Sequence, residues 1–306
     1  MKILYFGDCS PGAMGIINRG IKGVIDKKYP DIQFELMDWA LPYNYEVFFT
    51  LKSWKNYDII IVDPVIAKVA ESGWVFEEED HALFKSKLIP IYHAELDVLG
   101  DHFQHGWYDG WFTTPVCSIN TYITNQIIEK GVDSQVLPIG INRERFKPFK
   151  EVKKIKRVGF IGPCPVPLDS SWGRVKRPEL FEEICKKAGL EYVAIFGKDN
   201  NWKMYEDIDA IICTSISEGN PIGFLEAAAC KIPFITTNVG IIREYLKVKT
   251  FETTDEAVGI IYHLNQSKEN ISHYVNEIHS DVFPGRDWEN ILEKYWIPYF
   301  KKQINV

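Results

Sequence analysis

The chain has 306 residues, of which 46% are hydrophobic, and its formal net charge is −7 at pH 7. This length allows two domains of ordinary size, each with a core of its own. The acidic balance argues against a general nucleic-acid binder, and no apolar run approaches the roughly 20 residues of a transmembrane helix.

The chain begins with a strand, a glycine-containing loop and a helix. Met1–Phe6 is apolar, Gly7–Gly15 is the loop, and an amphipathic segment follows from Ile16 to Lys28. This order opens a doubly wound α/β sheet. No signal peptide precedes the strand, and the six cysteines contain no C-x-x-C pair. We therefore expect a cytoplasmic protein with free thiols.

Three more strands are predicted in the amino-terminal half, at Gln33–Met37, Tyr57–Val62 and Lys87–Tyr92. His93 directly follows the last of them, at the carboxyl end of a strand, where functional residues collect in such sheets. A structural hydrogen-bonding role is the alternative for His93.

Two loops of this half are rich in aromatic residues, one from Trp39 to Trp54 and one from His102 to Phe112. Such side chains bury large areas in a core. If exposed, they can stack on a sugar or a base. Both roles stay open.

The middle of the chain predicts a boundary between two domains. Val116–Glu129 has the pattern of a helix, and it leads through Gly131–Asp133 to the segment Gln135–Ile141. The polar, lysine-rich run Phe149–Arg157 is typical of a linker. The boundary is therefore expected near residue 150.

The second half opens with a strand at Lys156–Gly162 and a loop rich in Pro and Gly. Arg174, Lys176 and Arg177 then precede a helix at Pro178–Lys187. A helix dipole repels cations at its start. A bound diphosphate would offset this repulsion between the three cations and the helix dipole. An Arg side chain binds a phosphate through a forked contact, and a Lys side chain binds it as a point charge.

A further strand, Leu190–Phe196, ends at Gly197 and Lys198, and Tyr205 lies a few residues beyond it. The D-x-D sequence Asp207–Asp209 precedes a buried strand instead of ending one. It is therefore interpreted as capping the edge of the sheet and not as a metal site.

The most informative stretch is Ile208–Tyr245, which predicts a strand, a polar loop, a small-residue helix and a second strand. Glu218 lies in the loop and Glu226 in the helix. Amides at the helix start attract phosphate, whereas carboxylates accept hydrogen bonds from hydroxyls. A nucleotide sugar carries both groups. In the alternative, Glu218 is solvated and Glu226 pairs with Lys231 or Arg243.

This stretch resembles the donor-binding segment of retaining GT-B glycosyltransferases, in particular glycosyltransferase family 4. The family pattern Glu-Gly-Phe-Gly followed by Glu-Ala appears here over Glu218–Ala227, with Asn220 and Pro221 in place of Phe-Gly. Gln135–Pro148 resembles the link between the two domains of the family. Pro163 replaces an arginine of the family pattern, and Arg174 or Arg177 would supply that cation.

The resemblance implies an α/β fold of the GT-B type, with two Rossmann-like doubly wound domains that face across a cleft. It implies an acceptor-side domain at 1–150 and a nucleotide-sugar-binding domain at 151–285. The amphipathic tail, 286–306, would be a helix that crosses back to brace the first domain. Attachment of its aromatic and lysine residues to a membrane surface is the alternative, without stable insertion.

The implied reaction moves a sugar from a nucleotide-sugar donor, a UDP- or GDP-sugar, to an acceptor hydroxyl with retention, without metal or other cofactor. The acceptor is left open among a glycan, a lipid, a small molecule and a modified DNA base, as is the oligomeric state. A transferase acting on hydroxylated DNA bases and a non-catalytic sugar-nucleotide-binding protein remain as alternatives.

The resemblance also assigns site residues. The expected catalytic residues are Glu218, Lys176 and His93. The expected donor-binding residues are Gly12, Arg174, Lys176, Arg177, Gly197, Lys198, Tyr205, Glu218, Gly219, Asn220, Pro221, Ile222, Gly223 and Glu226. The expected acceptor-binding residues are Asp8, Ser10, His93, His105 and Trp107.

Overall fold

A computed structural model describes residues 1–7, 9, 13–38, 41–63, 78–93, 116–162, 175–195 and 203–304. The chain divides into two compact units, one formed by Met1–Gly140 with Trp288–Val306 and the other by Ile141–Asp287. The lysine-rich stretch expected to link two domains lies inside the second unit. Lys150 forms an ion pair with Asp209 at 3.1 Å, which ties this stretch to the second sheet.

The described part of the first unit contains a sheet of six parallel strands in the order β2-β1-β3-β4-β5-β6. The strands are β1 Lys2–Gly7, β2 Gln33–Asp38, β3 Ile59–Val62, β4 Leu88–Tyr92, β5 Val116–Ser118 and β6 Ser134–Val136. The helices are α1 Ala13–Lys28, α2 Pro42–Tyr45, α3 Glu78–Lys87 and α4 Thr121–Glu129. The central strands β3 and β4 are buried along their whole length, as parallel strands covered on both faces are.

Two expectations about this unit were wrong in detail. α1 begins at Ala13, so Gly15 lies in the helix and not in the loop. Val116–Ser118 is a strand, since it pairs with both β4 and β6; the helix starts only after Asn120, whose side chain caps it by accepting from Ile123 N at 2.8 Å. The short strand before Pro138 is β6, Ser134–Val136.

The first aromatic loop contributes to the core of this unit. Phe48 stacks on Phe6 with 4.0 Å between ring centroids, and Phe49 and Trp54 are also buried. Tyr43 is exposed. The second aromatic loop lies outside the described residues.

The second unit repeats the same topology, with strand order β11-β10-β9-β7-β8 and all pairs parallel. Its strands are β7 Arg157–Ile161, β8 Glu191–Ile195, β9 Ala210–Cys213, β10 Phe234–Thr236 and β11 Lys249–Thr250. Its helices are α5 Pro178–Ala188, α6 Met204–Asp207, α7 Ile222–Cys230, α8 Thr254–Leu264 and α9 Lys268–Val282. Asp209 caps the start of β7 by accepting from the amides of Lys156 and Arg157 at 3.1 and 3.0 Å, which confirms its expected capping role.

The tail is helical and packs within the first unit. α10 Trp288–Ile291 continues through a π-helical turn, Leu292–Trp296, into α11 Ile297–Ile304. The Trp288 indole occupies the space that a Cβ would need at Gly20 of α1, and a Cβ at Gly140 would lie 2.8 Å from Trp288 Cα. Trp296 Nε1 donates to Pro138 O at 2.8 Å. Helices of the described residues are all too short or too polar to span a bilayer.

Candidate functional site

The strand order of the second sheet defines where a ligand would bind. β7 lies between β8 and β9. The connection from β7 leads to β8 on one side, and the next connection crosses back over β7 to β9 on the other side. Ligands of open parallel sheets bind at such a point, outside the carboxyl ends of the strands. Gly162 follows β7 there, and the loop Thr214–Pro221 leads from β9 into α7.

Lys176 and Glu218 meet at this edge. The Lys176 ammonium pairs with Glu218 Oε1, and Ser215 Oγ donates to the same oxygen at 2.6 Å. Burial alone would lower the pKa of Lys176, but the adjacent Glu218 carboxylate leaves that pKa above its usual value. The Glu218 side chain is only 15% exposed, so it is not a solvated loop residue.

The segment that carries Lys176 is held by the loop after β9. Thr214 Oγ1 lies 2.6 Å from the carbonyl oxygen of Lys176 and 3.0 Å from that of Arg177. In return, Arg177 Nε donates to Thr214 O at 2.7 Å. Ile216 N also donates to Val175 O at 2.9 Å. The two cations are therefore fixed to the same loop as Glu218.

Glu226 lies in α7, where every residue from Gly223 to Cys230 is buried. Its carboxylate accepts a hydrogen bond from the Tyr205 hydroxyl, and Tyr205 is fully buried. Burial raises the pKa of Glu226 to about 7, and the Tyr205 hydrogen bond opposes that rise. Lys231 donates instead to Asn276 Oδ1 at 2.9 Å. Tyr205 therefore supports Glu226 and presents no exposed ring to a nucleotide base.

Two glycines let the loop pack tightly. Gly240 has φ +52, a region that favours glycine, and a Cβ there would overlap Gly219 O and lie 2.5 Å from Glu218 O. A Cβ at Gly223 would overlap the Ile161 side chain of β7. Gly219, Asn220 and Pro221 are buried between these contacts, and Ile222 begins α7. The backbone of the loop is thus fixed from both sides.

The carboxyl edge of the first sheet carries a second polar cluster. Tyr5 of β1 donates its hydroxyl to Asp63 Oδ1 at 2.8 Å, and His93 Nε2 lies 3.6 Å from the same oxygen. Burial lowers the pKa of His93 to about 3. Sequence reasoning missed Asp63, although Asp63 directly follows the apolar run of β3 just as His93 follows β4.

Several expected site residues lie outside the described residues. They are Asp8, Ser10, Gly12, His105, Trp107, Arg174, Gly197 and Lys198. Within the ranges that the structure describes, no three His, Cys, Asp or Glu side chains are grouped as metal ligands would be.

Comparison with known proteins shows what the fold and the second half of the chain are similar to. Residues 172–295 match the family described as glycosyl transferases group 1. The whole chain also superposes on sucrose-phosphate synthase from Thermosynechococcus elongatus, with a TM-score of 0.75, 11% identity and 100% coverage of both chains. No curated protein matches the chain.

Two further solved structures have the same fold. The lipopolysaccharide outer core galactosyltransferase WaaB gives a TM-score of 0.58 at 15% identity, over 99% of this chain and 100% of that one. The catalytic domain of starch synthase IV from Arabidopsis thaliana, bound to ADP and acarbose, gives 0.65 at 9% identity, over 100% of both. These likenesses show that the chain has the GT-B fold, with two doubly wound α/β sheets. More particularly, residues 172–295 are similar to the glycosyl transferases group 1 family.

Proposed function

We propose that the protein transfers a sugar from a nucleotide-sugar donor, a UDP- or GDP-sugar, to an acceptor hydroxyl. The observation that carries this proposal is the contact between Lys176 and Glu218 at the edge of the second sheet. A cation and a carboxylate held side by side suit a ligand in which a diphosphate is bonded directly to a polyhydroxylated ring.

The diphosphate would be held by Lys176, Arg177 and the amides at the start of α7, whose dipole also favours an anion. When the diphosphate binds the Lys176 ammonium, the Glu218 carboxylate is released from its ion pair with Lys176. Glu218 can then accept hydrogen bonds from the sugar hydroxyls. Glu226 would accept from the ribose hydroxyls. These roles use both charges of the pair and leave neither buried without a partner.

The proposed reaction proceeds with retention and without metal. The bond between the anomeric carbon and the diphosphate oxygen breaks, and a bond to the acceptor oxygen forms on the same face. The acceptor proton passes to the departing phosphate oxygen. Negative charge grows on the diphosphate during this step, so preorganised cations and amides would carry most of the catalysis. The acceptor stays open among a glycan, a lipid, a small molecule and a hydroxylated DNA base.

The test is thermal-shift binding with UDP-, GDP-, ADP-, CDP- and dTDP-sugars on the wild type and on Glu226→Ala. We expect one donor to stabilise the wild type and not the variant. Released nucleotide should then appear, unchanged by EDTA, and fall about 10²- to 10³-fold in Lys176→Gln. NMR of the transferred sugar reports its anomeric configuration. If no donor stabilises the wild type, the proposed donor-binding site is ruled out. If a donor binds but no nucleotide is released, the non-catalytic alternative is favoured.

A further inference from the structure

The hydroxyl of Ser215 lies beside the ion pair between Lys176 and Glu218. Ser215 lies two residues after β9 and is 1% exposed. Thr237 Oγ1 donates to the Ser215 carbonyl oxygen, and Thr237 N donates to Cys213 O at 3.1 Å. The main chain of Ser215 is therefore held to the segment that follows β10.

The Ser215 hydroxyl has one proton, and its neighbours decide which way that proton points. Glu218 Oε1 lies 2.6 Å from Ser215 Oγ, and a carboxylate only accepts hydrogen bonds. The Cys213 thiol donates to Ser215 Oγ with 3.5 Å between sulfur and oxygen, so it contacts the hydroxyl as an acceptor. The hydroxyl of Ser215 therefore donates to Glu218.

The Lys176 ammonium and the Ser215 hydroxyl share one oxygen of Glu218, Oε1. When a diphosphate binds Lys176, the carboxylate loses its ion pair, although the Glu218 side chain is only 15% exposed. A carboxylate in such a place is costly unless hydrogen bonds replace the lost partner. The bond from Ser215 is still made after this exchange, because the exchange moves the ammonium. A carboxylate has about four acceptor sites on its two oxygens, so Glu218 can accept from sugar hydroxyls as well.

We infer that Ser215 is a positioning residue, whose hydroxyl holds the Glu218 carboxylate in place for the hydroxyls of the transferred sugar after the diphosphate has bound Lys176. This role rests on the proposed function, because it requires a donor that carries both a diphosphate and a sugar. Without the Ser215 hydroxyl, the released carboxylate turns toward solvent water. That rotation matters little to a nucleoside diphosphate, whereas a complete donor loses its sugar contacts.

Calorimetric titration measures this difference, with the donor found by the thermal-shift screen and with its own nucleoside diphosphate. The dissociation constant of the diphosphate divided by that of the donor gives the preference for the donor. Ser215→Ala should lower this preference about tenfold and leave the dissociation constant of the diphosphate within about twofold of the wild-type value. Ser215→Thr keeps a hydroxyl and should retain most of the preference. In a Glu218→Ala background, which has no carboxylate to hold, Ser215→Ala should cause no further loss.

Ser118→Ala is the matched control. Ser118 is fully buried at the end of β5, and its hydroxyl donates to Asn120 O at 2.9 Å. Its substitution removes a buried hydroxyl from the first unit, so it should lower stability in urea unfolding and leave the preference for the donor unchanged. Thr237→Val is the second variant, to be used if Ser215→Ala does not fold. It frees the Ser215 carbonyl but keeps the Ser215 hydroxyl, so a smaller fall in preference is expected.

The outcomes separate this inference from the proposed function. If a donor binds and the preference is unchanged in Ser215→Ala, or in Thr237→Val where Ser215→Ala does not fold, the inference alone is overturned. A further loss in the Glu218→Ala background also overturns it, because Ser215 would then act independently of Glu218. If no donor binds the wild type, the proposed function fails and the role of Ser215 fails with it.

Discussion

Glu226 is a buried carboxyl group whose protonated and ionised forms are both populated near pH 7. Burial raises its pKa to about 7, compared with an ordinary value of 4.5. In the ligand-free protein the protonated form is favoured by folding. Its contribution to stability is therefore fully present below about pH 4.5 and is lost as the pH rises through about 7. Ribose hydroxyls that donate to the carboxylate would reverse this preference.

Nucleotide binding is consequently expected to weaken at low pH. Below about pH 7 the dissociation constant should rise up to about tenfold for each unit of pH, because binding must release one proton. Calorimetric titration between pH 5.5 and 8, in buffers of different ionisation enthalpy, measures both the affinity and the proton release.

Two variants make this pH prediction specific. Glu226→Gln should bind more weakly with a flat pH profile. Tyr205→Phe should move the midpoint to higher pH, because the Tyr205 hydrogen bond favours the ionised carboxylate. A midpoint that stays in place in Tyr205→Phe would assign the titration to another group.

At the scale of elements, the turn that begins at Gly240 fixes the loop of Glu218. Ile241 N donates to Gly219 O at 2.9 Å, and Gly240 has φ +52 with no room for a Cβ. Gly240→Ala should therefore destabilise the fold by more than about 1 kcal/mol and weaken donor binding as the loop is displaced. Urea unfolding and donor titration measure the two effects.

The matched control is Gly259→Ala in α8. Gly259 is exposed, and a Cβ there would meet nothing within 4 Å. Because alanine is the better helix former, this substitution should stabilise the protein by up to about 1 kcal/mol without changing donor affinity. Equal effects of the two substitutions would argue against a special role for Gly240.

The sequence was informative where local pattern decides the structure. The strand, loop, helix and strand around Glu218 were predicted, because the apolar runs and small residues of β9, α7 and β10 are themselves buried. Val116–Ser118 was misassigned because a three-residue strand has too little pattern of its own and depends on pairing with β4 and β6.

Contacts between residues far apart in the chain could not be predicted from the sequence. Lys176 and Glu218 are 42 positions apart, and Tyr5 and Asp63 are 58 apart. Local periodicity carries no information about which loops meet at a sheet edge. The position of Asp63 after β3 was nevertheless a usable signal, since the same rule selected His93.

For the whole molecule, Trp288 completes the first unit. Its side chain fills the space beside Gly20 and Gly140. Trp288→Ala should therefore cost this unit about 3–5 kcal/mol. Scanning calorimetry with and without a bound donor should show a lower transition for the first unit, while the donor still raises the transition of the second.

Tyr262→Ala is the control, because Tyr262 is 72% exposed in α8 and its loss should change stability by less than about 0.5 kcal/mol. If Trp288→Ala lowered both transitions equally and abolished the donor shift, the two units would have to be treated as one cooperative body.

The first unit is assembled from two segments that flank the second unit in the chain, and this order has a consequence for synthesis. On the ribosome, residues 141–287 emerge as one uninterrupted piece and have all their strands before Trp288 is made. The segment Met1–Gly140 is made earlier, but its packing is completed only when Trp288 of the tail lies beside Gly20 of α1. Domains usually fold from the amino terminus onward during translation. Here the order is expected to be reversed: the sheet of the second unit folds first, and the sheet of the first unit is completed only after the tail has been made.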